Sequence, residues 1–130
     1  MTALEFVTEF LIQKIRSIPT ETRTTVLKAA CYENWADFIV AIQLNRNDLV
    51  EWILIELGRW VDGFNFKNNI IDDGFDSGEG DYCVFELDGN IVKVSYSERN
   101  PKTGCFEKIE FDFVERKEIL IPKTFWSIIN

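Results

Sequence analysis

DYCVFELDGNIVKVSYSERN, residues 81–100, is where the chain changes period. Cys83, Phe85 and Leu87 alternate with Val84 and Glu86. After Asp88-Gly89-Asn90, Val92, Val94 and Tyr96 alternate with Lys93, Ser95 and Ser97. A period of two is the signature of a strand with two unlike faces, and an Asp-Gly pair supplies the positive φ angles of a tight hairpin connection. This stretch therefore predicts two antiparallel strands. Everything C-terminal to it reads the same way. NPKTG (100–104) supplies the next turn, and Cys105, Ile109, Phe111 and Phe113 then point one way while Lys108, Glu110 and Asp112 point the other. ERKEILIP (115–122) reads as a further strand after a polar turn, and KTFWSIIN (123–130) as a short terminal helix or tail. FNFKNNII (64–71) is a candidate edge strand.

N-terminal to residue 64 the period is helical. In TALEFVTEFLIQKI, Leu4, Val7, Phe10 or Leu11, and Ile15 recur at steps of three and four, and Thr2 with Glu5 has the spacing of a capping box. Pro19 ends that helix. A second helix is expected from about Glu21 to Glu33, and a third from about Trp35 to Leu44 with Phe38, Ile39 and Ile42 on one face. Asn47 or Asp48 caps a fourth, with Leu49, Trp52, Ile53, Leu57 and Trp60 inward and Gly63 as its stop. Helices first and an antiparallel meander after predict an α+β fold, with N-terminal helices packed on a C-terminal sheet. The 130 residues suit a single domain with a helical part, 1–63, and a sheet part, 64–130. Trp35, Trp52 and Trp60 are expected in the core, as large aromatics usually are.

Between the two parts lies DDGFDSGEGDYCVFELD (72–88), with seven carboxylates, Asp72, Asp73, Asp76, Glu79, Asp81, Glu86 and Asp88, and no cation. The net charge of the chain is −8, and −7 of it falls in these 17 residues, so the remainder is close to neutral. A hydrophobic fraction of 46% with eleven Phe and four Trp excludes a disordered acidic chain. The acidity opposes direct binding to nucleic acid or anionic lipid, which carry the same sign, and favours a cationic partner.

Several chemistries are excluded or weakened by what is missing. The chain has no histidine, so Ser-His-Asp and Cys-His catalysis and histidine metal sites are ruled out. Cys31, Cys83 and Cys105 are three, widely spaced and without a CxxC pair, which points to unpaired thiols, Cys83 and Cys105 being packed as small hydrophobes. A calcium loop counted from Asp72 puts Gly74 at position 3 and Cys83 at position 12, where a bidentate Glu is needed. Counted from Asp73, it puts Phe75 at 3 and Val84 at 12. An irregular Ca²⁺ site on Asp72, Asp73, Asp76 and Asp81 stays open. No cofactor is expected, and no phosphate-cradling glycine motif is present. The first residues lack the basic region of a secretory signal and no apolar run spans a membrane, so a cytoplasmic location is the expectation.

The plain reading of the acidic stretch is a solvated loop, loosened by Gly74, Gly78 and Gly80. The sharper one is a carboxylate surface that enters a basic cleft, because so many like charges destabilise one another until a cation relieves them. On that reading Asp72, Asp73, Asp76, Glu79 and Asp81, with Phe75 and Tyr82, meet the partner. Trp126 and Phe125 offer a second aromatic anchor. In outline, and in DYCVFELDGNIVKVSYSERN followed by CFEKIEFDFVE, the chain resembles the immunity proteins of bacterial toxin systems, including those of contact-dependent inhibition. The resemblance implies a non-enzymatic, tight one-to-one complex with a cognate toxin, often a nuclease with a basic active site. A DNA-mimicking anti-defence inhibitor is the alternative from the same charge logic. A carboxylate-dependent hydrolase is the other, and it requires a pocket with two facing carboxyls about 5 to 10 Å apart.

Overall fold

The computed structural model describes residues 1–74, 81–99, 101–103, 106–119 and 123–129, with the side chains of 98–99, 106–107, 117–119 and 123–125 left aside. Phe75, Asp76, Glu79 and Cys105 therefore lie outside the described residues, as does the side chain of Phe125. The described residues form four α-helices followed by a five-stranded antiparallel sheet, an α+β fold in the expected order. They divide into two compact units, 1–68 (Thr2 aside) and 69–130.

In the first unit, α1 (Ala3–Arg16) buries Val7, Leu11 and Ile15, as its three- and four-residue spacing selects, and Ile12 beside them, while Leu4 is half-buried. α2 (Thr20–Ala30) begins directly after Pro19 and ends on Cys31, whose φ of 60° is left-handed; there the Tyr32 N–H reaches back to the Leu27 carbonyl at 3.0 Å. α3 (Trp35–Gln43) is capped by Asn34, whose Oδ1 accepts from the amides of Ala36 and Asp37 at 2.8 and 3.2 Å. α4 (Asn47–Ile55) buries Leu49, Val50, Ile53 and Leu54.

Trp60 departs from expectation. α4 stops at Ile55 and a 3₁₀ turn follows over Leu57–Arg59, so the 3.6-residue projection that put Trp60 inward no longer applies. Trp60 is 51% exposed and stacks on half-buried Trp52 with ring centroids 6.0 Å apart. Trp35 is half-buried as well, under the Arg23 guanidinium at 4.8 Å. Phe64 and Phe66 are buried but are not in a strand. Phe66 packs on Phe10 and Phe64, at 5.7 and 6.2 Å, which draws the division between the units to 68/69 instead of 63/64.

In the second unit the strands follow one another in space as they do in sequence: β1 (Ile70–Asp73), β2 (Asp81–Leu87), β3 (Asn90–Arg99), β4 (Phe106–Ile119) and β5 (Lys123–Ile128). Asp88 and Gly89 turn the β2–β3 hairpin with φ of 47° and 80°, both positive as an Asp-Gly turn requires. Register pairs Cys83 with Val94 and Phe85 with Val92, and sets Phe111 opposite Val94 and Phe113 opposite Val92, so the centre of one face is apolar. β4 runs unbroken for 14 residues where two strands and a turn were expected. Its first half pairs with β3 and its second with β5. The terminal segment is thus a strand, not a helix or tail, because β4 extends far enough to present it with a partner. Among the described residues, no helix is long and apolar enough to cross a membrane.

Candidate functional site

The sheet edge that leads into the acidic stretch is built on a β-bulge. β1 pairs Ile70 with Phe85 but then Asp72 with Val84 and Asp73 with Cys83, so one residue is extra on the β1 side. A regular ladder would have set Asp72 opposite Cys83, on the face of Phe85 and Leu87. A one-residue slip exchanges the faces of every side chain beyond it. The bulge therefore moves the Asp72 carboxylate to the other face, beside Val84 and Tyr82.

On that face Asp72 meets two donors. The Tyr82 hydroxyl donates to Asp72 Oδ2 at 3.2 Å, and the Trp126 indole Nε1–H donates to the same oxygen. Tyr82 is buried, with 7% of its surface exposed, and packs in an apolar cluster with Val84 and Val114, against which Ile71, Ile91 and Trp126 also lie. Each donor ring carries a cation: Lys93 Nζ lies 4.5 Å from the centroid of Tyr82, and the Arg116 guanidinium 5.3 Å from that of Trp126. β1 and β5 are the two edges of the sheet. Flat, they would stand four strand spacings, about 19 Å, apart. The bond from Asp72 to Trp126 is possible only because the sheet curls toward this face.

The structure thus brings together three of the residues expected to meet a partner, Asp72, Tyr82 and Trp126, and joins them to one another. Asp73 is exposed at the end of β1, Asp81 is half-buried at the start of β2, and Glu86 and Asp88 are exposed at its far end. Lys93 and Arg116 complete the arrangement and were not singled out from sequence, and Gly74, read there as loosening the loop, is instead buried and held. Gly74 donates its N–H to the Tyr82 carbonyl at 3.0 Å, and a Cβ placed on it would lie 2.0 Å from the Tyr82 ring. A glycine directly after a strand was the one available signal. Nothing in a linear reading pairs Lys93 or Arg116 with an aromatic ring.

The charge on β1 also reaches the neighbouring thiol. Burial pushes the Cys83 thiol up to about 12, and the carboxylates of Asp73 and then Asp72 add to the effect. Cys83 is therefore a packed, unreactive group. On β4, burial raises the Asp112 carboxyl above its usual value, the charge of Glu110 raises it further, and Lys93 opposite opposes both. Glu110 itself pairs with Lys108 at 3.0 Å. Among the described residues, no group of three or more Cys, Asp and Glu side chains is disposed to hold a metal ion. In the helical unit a groove of about 350 Å³ is lined by Glu5, Glu9, Arg16 and Gln43 among others. Its two carboxylates are one turn apart on the same helix, side by side and not across the groove from each other.

No protein-family model matches this chain, and it matches no curated protein and no solved structure.

Proposed function

We propose that this protein is an immunity-type inhibitor that binds a cognate bacterial toxin, a nuclease with a basic phosphate-binding cleft, and blocks that cleft. The observation that carries the reading is the concentration of −7 of the net −8 in residues 72–88. Asp73, Asp76, Glu79 and Asp81 present carboxylates where the nuclease would bind phosphate, forming charge-assisted hydrogen bonds to its Lys and Arg side chains. Long-range attraction accelerates encounter, and Phe75 adds an aromatic contact that slows dissociation. The inhibitor acts in the cytoplasm, touches no nucleic acid itself and performs no chemistry. Exposed Asp73, Glu86 and Asp88 support the reading, since they extend the negative surface along both ends of β2.

The test uses the protein encoded directly upstream, where the toxin of such a pair is expected. Stopped-flow association is measured from low to physiological salt for the wild type and for the D73N/D76N/E79Q/D81N variant. The expected outcome is a rate that falls at least tenfold in the variant at low salt and a flattened salt dependence. An association rate unchanged by removing the four charges would overturn the electrostatic mechanism.

A further inference from the structure

We infer that Asp72, with Tyr82 and Trp126, is an internal anchor that fixes the base of the acidic segment and is not part of the surface that meets a partner. The inference deepens the proposed function and rests on it for the role of the remaining carboxylates.

Four observations tie half-buried Asp72 into this chain. The bulge in β1 turns it away from the face that a regular ladder would give it. Two neutral donors from different strands, one of them 54 residues away in sequence, converge on a single oxygen of its carboxylate. Both donor rings are in turn held by cations of this chain, Lys93 over Tyr82 and Arg116 over Trp126. Gly74, next but one in sequence, is seated against the Tyr82 ring with no room for a side chain.

The consequence concerns the two points between which residues 75–80 run. β1 ends at Asp73 and β2 begins at Asp81, and both Gly74 and Asp81 adjoin Tyr82. β1 is only four residues long and, among the described residues, has β2 as its one ladder partner. A strand so short, carrying two carboxylates and followed by more, is poorly held by its ladder alone. The bond across the curl to β5 holds it from the other side. Asp72 and Trp126 are thus positioning residues for the acidic surface.

The test compares Asp72→Ala with Asp76→Ala, which remove the same charge four residues apart, and adds Trp126→Phe and the Asp72→Ala/Trp126→Phe double variant. Three readouts are taken on the full chain: the Trp126 indole proton resonance, the melting temperature, and binding of octalysine as a cationic probe. Asp72→Ala is expected to shift the indole proton upfield and to lower the melting temperature by about 5–10 °C, the range for a lost charge-assisted bond in a chain this size. Trp126→Phe is expected to do the same to the melting temperature, and the double variant to melt within about 2 °C of the lower single, because the two side chains form one interaction. Trp126→Phe retains the carboxylate and keeps the comparison open should Asp72→Ala not fold. Octalysine binding is expected to weaken more for Asp76→Ala than for Asp72→Ala. An unmoved indole resonance and melting temperature, with octalysine weakened most by Asp72→Ala, would overturn the anchor. Failure of octalysine to bind even the wild type would instead sink the proposed function and leave the anchor to be judged on the other two readouts.

Discussion

Charged side chains pair locally in both units of this chain, as Lys108 does with Glu110 at 3.0 Å in the second, but one carboxylate of the second unit does more. In residues 1–68 they pair locally and in water: Arg46 with Asp48 at 3.3 Å, Arg59 with Glu56 at 3.1 Å across one turn. Such pairs add little, typically 0–1 kcal/mol, because solvent screens them and two long side chains must be ordered. In residues 69–130 one carboxylate joins strands at opposite edges of a sheet. The difference teaches that a carboxylate's worth lies in what it spans. A helix brings together residues three or four apart, whereas a curled sheet brings together residues that chain entropy would otherwise keep distant.

The two units each hold a described cysteine, and these give the largest contrast. Cys31 is exposed at the end of α2, while Cys83 is buried in β2 with its thiol pushed up to about 12 from 9.0. At pH 8 the native Cys83 thiolate is then roughly a thousandfold scarcer than that of an ordinary thiol. Iodoacetamide labelling followed by peptide mapping should modify Cys31 and leave Cys83 untouched. The same shift has a sign for stability. Because the native thiol ionises later than the unfolded one, its contribution is fully present below about pH 9 and is lost as pH rises from there toward 12. Labelling of both cysteines at equal rates in the native state would erase the contrast between the units.

Next in size is Gly74→Ala. The new methyl would meet the ring of Tyr82, which is buried and tied to Asp72 and so has little freedom to move aside. A loss of about 1–3 kcal/mol, the usual cost of overpacking, is expected in a urea titration. A neutral result would mean that β1 and Tyr82 separate easily, and would weaken the claim that this edge is held from both sides. The smallest effect belongs to the helical unit. Glu56→Gln removes the partner of an Arg59 side chain that is itself mostly exposed, and should change stability by less than about 1 kcal/mol. A larger loss would show that surface pairs in the first unit act as strongly as the carboxylate in the second.

The candidate site was legible in part. That residues 72–88 are acidic is plain from the letters, and Asp72, Tyr82 and Trp126 were each singled out, but as neighbours of a partner and not of one another. The pairing depends on the bulge between Ile70 and Asp72 and on the curl that carries β5 across the face. Neither leaves a trace in local composition. Trp60 was misplaced for a related reason: projecting a helical face through Trp60 assumes that α4 continues, and it ends at Ile55. KTFWSIIN was read as a helix or tail because eight apolar and polar residues without a clear period do not distinguish a strand from a helix.

What the sequence by itself determined are the features set within a few residues: four helices in the N-terminal half and a hairpin whose Asp88 and Gly89 adopt the positive φ that only a few residue types accept. Only the tertiary structure decided that β4 continues past Val114 to pair with β5, which face Asp72 occupies, and that its charge is met by Tyr82 and Trp126. The reason is physical. Backbone preference and periodicity act over one turn or one pleat, while strand register and the partners of a carboxylate are settled by segments that meet only after the chain has folded.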